Sequence, residues 1–206
     1  QIYEDWSWET HVVRLKTPQD LMNRPQFWMA MDPGTRNPTA ALWCVVDVDG
    51  SLSGRERSLV AVAEYLGQDE APNHAEKWRE IERQKAPNVT WRVADPSTIN
   101  MKDRGSNMEL HTQYQRLGFN FTNGPRHHSQ RIPILGTMIS QGRFMVTPDC
   151  PRAYESIKNY QWVDLTPQQR ATGVAPPEKP LKKDDDLVDC AQYLCSRWVS
   201  PMRKSG

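Results

Sequence analysis

The chain has 206 residues, 37% of them hydrophobic, which is enough for one sizeable core and favours a single domain. Lys and Arg number 26 against 25 Asp and Glu, a net charge of +1, so the overall balance announces neither a nucleic-acid binder nor an acidic partner, and any such surface has to be local. No apolar run approaches the roughly 20 residues that cross a bilayer, the N-terminus lacks a basic and apolar signal pattern, and the four cysteines form no CxxC pair, so the expectation is a soluble intracellular protein with free thiols.

The sequence opens without an initiator methionine in a polar, Trp-rich stretch, which reads as a domain excised from a longer chain. Residues 1–25 form an N-terminal arm or linker holding HVVRLK, a possible short strand, and the proline-containing TPQDLMNRPQ. Trp6 and Trp8 in this arm are expected to dock on a neighbouring domain. Phe27 to Met31 reads as the first core strand and AALWCVVDVDG as the second, with Asp49-Gly50 as a hairpin signal; SLVAVAEYL then completes an antiparallel meander. APNHAEKWREIERQK predicts a helix with Asn73 as N-cap, and VTWRVAD a fourth strand.

After a polar loop, NMELHTQYQRLG predicts a helix stopped at Gly118, and FNFTN a short strand. The apolar spacing of Ile132, Leu135, Met138 and Ile139 predicts a helix with Pro133 in its first turn and Gly142 past its end, followed by a short strand RFMVT. CPRAYESIKNYQW reads as a helix. The loop from Thr166 to Lys183, rich in proline and without periodicity, is expected to be mobile over a cleft. A last amphipathic helix places Leu187, Ala191, Leu194, Cys195 and Trp198 on one face, and residues 201–206 form a tail. The expected architecture is a mixed α/β domain over 26–200, with a central five-stranded sheet whose first three strands are antiparallel and a cleft at one sheet edge.

Three groups of aspartates carry the chemistry. FWMAMDPGT and VTWRVADPS each run into Asp-Pro, and a residue before proline is pushed into extended geometry, so Asp32 and Asp95 are expected at strand ends. Asp184, Asp185, Asp186 and Asp189 lie where the last helix begins. Carboxylates from three distant segments can hold two hard divalent ions about 4 Å apart, each ion taking one or two carboxylates plus water and phosphate oxygens. Asp32 would bridge both ions, Asp95 would hold one, and Asp186 or Asp189 the other, with Asp185 also a possible ligand. Taken singly, an aspartate before proline suits a turn and one at a helix start suits the macrodipole; Asp184 could be a plain N-cap.

Between Glu109 and Asp149 the chain has no acidic residue. Arg126, His127, His128 and Arg131 in this stretch, with Lys182 and Lys183 before the acidic cluster, are the expected DNA contacts, because Arg forks match phosphate geometry. The His and Cys spacings match no zinc pattern.

With these pieces in place, the chain resembles the ribonuclease H-like (RuvC-like) superfamily, and most closely the C-terminal nuclease domain of the large terminase subunit of tailed bacteriophages. The resemblance runs from Phe27 to Trp198 and rests on MAMDPGTRNPTAALW, on VADPS after a lone helix, on RIPILGTMISQGRFMV followed by CPRAYESIKNYQW, and on KKDDDLVDCAQYLCSRW. In that family the late motif has Asp-Ala followed by a Tyr; here Asp189 is followed by Cys190, a departure that leaves the order of Asp185, Asp186 and Asp189 as ligands open. The resemblance implies a Mg²⁺- or Mn²⁺-dependent endonuclease with two ions, with Asp32, Asp95 and Asp186 catalytic, cutting concatemeric double-stranded DNA to 3′-hydroxyl and 5′-phosphate ends during packaging in the host cytoplasm. It also implies an ATPase motor, a small terminase subunit and a capsid portal as partners. No GxxxxGK[ST] motor signature occurs in these residues. The rival readings are a junction-resolvase-like nuclease and a non-catalytic DNA clamp or docking module.

Overall fold

The computed structural model describes residues 1–15, 26–34, 37–103, 105–106, 108–164 and 179–199. The core strands are apolar on both faces, as expected of strands covered from both sides. In β1 (Phe27–Asp32), Trp28 and Ala30 face one apolar layer while Phe27, Met29 and Met31 face the other. β2 (Thr39–Asp47) and β3 (Ser58–Gly67) extend the same division, with Leu42 and Cys44 on the first side and Trp43 and Val45 on the second.

The sheet has six strands in the order β5-β4-β1-β2-β3-β6, with β4 at Val89–Ala94, β5 at Thr122–Asn123 and β6 at Phe144–Val146. β1, β2 and β3 are antiparallel neighbours, as expected, while β4 lies parallel beside β1. The sixth strand departs from the five expected: β5 and β6, of two and three residues, each add to an edge by parallel pairing. After a short α1 (Trp8–His11), one face is covered by α4 (His128–Ser140), α5 (Pro151–Lys158) and α6 (Asp186–Val199), the other by α2 (Ala71–Lys85) and α3 (Leu110–Arg116). Trp78 of α2 is fully buried there, stacked on His74 and Tyr114. Among the described residues no helix is long and apolar enough to cross a membrane.

Three local expectations differ from the structure. The Asp49-Gly50 hairpin is replaced by a longer connection, because the buried Asp47 carboxylate gathers it: Oδ2 accepts from the N–H groups of Leu52 and Ser53 at 3.2 and 2.9 Å and from the Ser53 hydroxyl at 2.8 Å. The N-cap of α2 is Glu70 rather than Asn73, and the Ala71 N–H is satisfied from far along the chain by Asp103 Oδ1 at 2.9 Å. Pro133 lies inside α4 beyond its first turn, since the helix begins at His128.

The first 15 residues belong to the core. Ile2 N–H donates to the Tyr160 carbonyl at 2.7 Å, and Val13 N–H to that of Val146 at 2.9 Å, so HVVRLK touches β6 through a single bridge at Val12. Trp6, expected to await another domain, is 4% exposed, stacked on His11, and donates its indole N–H to the Tyr154 carbonyl at 3.1 Å. Trp8, 52% exposed, packs its edge on Tyr154. The rest of the expected linker, the Thr166–Lys183 loop as far as residue 178, and the tail lie outside the described residues. Replacing a buried Trp by Ala typically costs about 3–5 kcal/mol. Trp6→Ala is therefore expected to lower the unfolding free energy from urea denaturation by that order, and a loss under about 0.5 kcal/mol would return Trp6 to the status of a surface side chain.

Candidate metal centre

The parallel pairing of β1 and β4 sets Met31 beside Ala94, so both strands leave the sheet at the same edge. Asp32 is the last residue of β1; Asp95 follows β4 directly and donates its N–H to the Met31 carbonyl at 3.1 Å. Asp95 then caps the 3₁₀ turn Pro96–Asn100, with Oδ1 accepting from Ser97 N–H at 2.7 Å, while Oδ2 takes the Tyr193 hydroxyl. α6 lies across β1 and β2, its Cys190, Ala191 and Leu194 in the same apolar layer as Trp28, Leu42 and Cys44. That packing aims the start of α6 at the edge where Asp32 and Asp95 emerge. Asp184 turns the chain with a left-handed φ of 52°, and the Asp185 carbonyl accepts the Asp189 N–H at 2.9 Å, closing the first helical turn.

The carboxylates repel one another. Burial pushes the Asp32 carboxyl well above the usual range, and Asp189, Asp95 and Asp186 push it further while Lys182 opposes them. Burial raises Asp189 to about 6 against the pull of Arg131 and Lys182, and burial together with Asp185 raises Asp186. Asp95 is the exception: burial would raise it, but the hydrogen bonds from Ser97 and Tyr193 outweigh burial and hold it low. Arg131 enters from α4, 2% exposed, with Nη2 3.4 Å from Asp189 Oδ1 and its guanidinium 4.4 Å from the centre of the Tyr193 ring.

Whether these groups suit a hard cation can be read from their oxygens. Asp185 is 6% and Asp189 3% exposed, and Asp185 Oδ2 and Asp189 Oδ1 are buried with no hydrogen-bond partner, their charge met among the described residues by ion pairs with Lys182 and Arg131. Buried carboxylates so sparsely paired are costly. Among the described residues no three His, Cys, Asp or Glu side chains are gathered closely enough to hold a metal ion by themselves. Mg²⁺ and Mn²⁺ do not require such a set, since they keep several waters and bind through one or two carboxylates. The donor set is all oxygen and fits them.

Among solved structures, the chain is similar to a large terminase from a thermophilic bacteriophage, with a TM-score of 0.72 at 17% identity, covering 95% of this chain and 44% of that one. It is similar to the P22 large terminase nuclease domain, with a TM-score of 0.63 at 18% identity, covering 94% and 89% of the two chains. The large terminase nuclease of the thermophilic phage G20c with bound magnesium gives a TM-score of 0.59 at 13% identity, covering 96% and 97%. The fold is that of the large terminase nuclease domains. The chain spans less than half the length of the first of these proteins. No family model matches the sequence, and no curated protein matches it.

Within this fold, Asp32, Asp95, Asp185, Asp186 and Asp189 lie near enough for their side chains to sense one another's charge. Asp32 and Asp95 lie in the middle of the strand order, at the ends of β1 and β4, rather than at an outer strand. The expected DNA contacts divide. Arg126 and His127 are exposed ahead of α4, and Lys182 and Lys183 are exposed ahead of α6, Lys182 Nζ standing 3.6 Å from Asp185 Oδ2. Arg131 is corrected: it is drawn inward by Asp189 and the Tyr193 ring and presents no surface to a phosphate backbone. His128 is half-buried, its Nδ1 accepting from Arg131 Nη2 at 2.9 Å.

Tyr193 enters the sequence reading only as part of a motif, yet its hydroxyl holds Asp95 and its ring supports Arg131. Gly124 is required beside it, because a Cβ there would lie 2.4 Å from Tyr193 Cδ1. A cleft of 290 Å³ opens beside Asp186, walled by Asn37, Leu66, Lys182, Lys183 and Asp184. It adjoins a larger one of 700 Å³ along α5 that shares Leu66, Ser156, Lys183 and Asp184.

The sign of the strain at Asp32 is fixed by its raised carboxyl. A group that holds its proton more tightly folded than unfolded loses stability as pH rises above the ordinary carboxylate range. Without metal, Asp32→Asn is therefore expected to melt above the parent at pH 7, with the gap closing as the pH falls toward about 4, the ordinary carboxylate value. A variant that melts below the parent at pH 7 in calorimetry would mean the Asp32 charge is well compensated.

Proposed function

We propose that this protein is a divalent-metal-dependent endodeoxyribonuclease that cuts concatemeric double-stranded viral DNA during genome packaging, by two-metal-ion phosphodiester hydrolysis. The observation that carries the reading is that Asp32 at the end of β1 feels the charges of Asp95 after β4 and of Asp186 and Asp189 in the first turn of α6, while among the described residues the buried Asp185 Oδ2 and Asp189 Oδ1 have no hydrogen-bond partner and are met by ion pairs with Lys182 and Arg131. The fold it shares with terminase nuclease domains, of which the G20c domain was solved with bound magnesium and with bound cobalt, supports the same reading.

Bound Mg²⁺ or Mn²⁺ would polarise the scissile phosphate and lower the pKa of an attacking water. The remaining work falls to the chain's own residues. Asp32, rigidly placed at the end of a core strand, would hold both ions from below. Asp95, fixed by Ser97 and Tyr193 and kept ionised by them, would offer a permanently charged oxygen on one side. Asp186 would close the other side, at the cleft edge, with Asp185 and Asp189 as further oxygens. Lys182 and Lys183 on one flank and Arg126 and His127 on the other would meet the phosphate backbone, which fixes register without reading sequence.

In the intact phage protein, an ATPase motor, a small terminase subunit and a capsid portal would be the partners, in the cytoplasm of the bacterial host. The test is incubation with supercoiled plasmid in Mg²⁺ or Mn²⁺, with and without chelator, beside Asp32→Ala. The expected result is nicking and linearisation lost with chelator and reduced at least about a hundredfold by the substitution, the scale on which a removed transition-state stabiliser acts. Equal cutting by Asp32→Ala sinks the site assignment, and cutting that survives the chelator sinks the metal reading.

A further inference from the structure

Arg131 is an unusual group to bury. A guanidinium carries five N–H donors in a fixed fork, and leaving them unpaired away from water is costly. Nevertheless Arg131 is 2% exposed, and its Nε and Nη1 have no hydrogen-bond partner. Its placed contacts all lead into the carboxylate site. Nη2 stands 3.4 Å from Asp189 Oδ1 and donates to His128 Nδ1 at 2.9 Å, which requires that ring nitrogen to be unprotonated, and the guanidinium lies over the Tyr193 ring whose hydroxyl holds Asp95. The charge count explains why it is tolerated. Five carboxylates, those of Asp32, Asp95, Asp185, Asp186 and Asp189, act on one another here, and among the described residues the cations that reach them are Arg131 and the exposed Lys182.

We propose that Arg131 is a resident counterion: it pairs with Asp189 in the metal-free protein, and divalent ions entering the site compete with it for that carboxylate. The inference rests on the metal-binding reading of the site. An exposed lysine such as Lys182 is screened by water, whereas a buried guanidinium acts through a low-dielectric environment. Arg131 therefore both holds the empty cluster together and sets how tightly the site takes a cation. It is a positioning residue, acting on metal through Asp189 and, by the ring of Tyr193, on Asp95.

The test is isothermal titration of Mg²⁺ and Mn²⁺ into the 206-residue chain, its Arg131→Gln variant and its Arg131→Lys variant, with metal-free melting of each. Arg131→Gln is expected to bind metal about tenfold more tightly and to melt lower without metal, so that its metal-induced rise in melting temperature exceeds the parent's. Arg131→Lys, which keeps the charge, is expected to stay near the parent in affinity, an outcome that loss of packing alone would not give. Should Arg131→Gln fail to fold, the Arg131 Nε–H resonance of the parent, followed by ¹⁵N NMR through the same Mg²⁺ titration, carries the question: it shifts if the ion pair opens and stays in place if Arg131 is a bystander. Equal metal affinity in all three chains, or a stationary resonance, overturns the inference alone. Absence of metal binding in the parent overturns the metal reading, and this inference with it.

Discussion

The parallel pairing of β1 with β4 is the constraint on which the rest depends. Two antiparallel neighbours would send their C-terminal ends to opposite edges of the sheet; only a parallel pair delivers Asp32 and Asp95 side by side. A parallel partner demands a long crossover, and the chain supplies it through β2, β3 and α2, which also build the apolar layer around Trp78. With β1 and β4 fixed, α6 packs on the apolar layer of Trp28, Leu42 and Cys44, and its N-terminal turn arrives at the same edge. Ligand sites outside the carboxyl ends of strands in open α/β sheets follow from this geometry in general.

The sequence made some of this legible and hid the rest, for physical reasons. Asp32 and Asp95 were readable because proline restricts the residue before it, and that restriction is local. The last helix was readable because Leu187, Ala191 and Leu194 recur with helical period. Asp47 was not: its carboxylate replaces a tight turn at Asp49-Gly50 by collecting N–H groups of Leu52 and Ser53, a use of a buried charge that no short-range pattern records. Trp6 was misplaced for a related reason, since its partners His11, Phe144 and Tyr154 are contributed largely by distant segments. Arg131 looks like a surface cation in the sequence because arginine seldom lies fully buried, and the charge that draws it inward comes from Asp189, which lies far along the chain.

At 17–18% identity to the two terminase structures of highest likeness described above, the shared property is the arrangement of the backbone, and a fold hosts many chemistries. The chemical argument therefore has to come from the site. Its distinctive feature is a set of acids held close by elements that cannot move apart without unpacking β1, β4 or α6. Such a cluster lowers the stability of the folded chain by repulsion, and under the proposed reading that same repulsion would become affinity for a cation. Strain of this kind is retained in folded domains where it serves a site.

Among the described residues, the two cations that reach the cluster differ in exposure and therefore in strength. Arg131, buried, attends Asp189 and lies on the ring that serves Asp95, so this side of the site is largely satisfied. Lys182, exposed, attends Asp185, and beside it Asp186 borders an open cleft. Among the described residues Asp32 and Asp186 therefore have no ion pair, and of the two Asp186 is the one that borders open space, while Asp189 is buried and engaged by Arg131. Arg126 and His127 before α4 and Lys182 and Lys183 before α6 are all exposed. Under the proposed reading these cations would hold a polyanion whose phosphates the charge of the acids keeps at a distance until divalent ions stand between them.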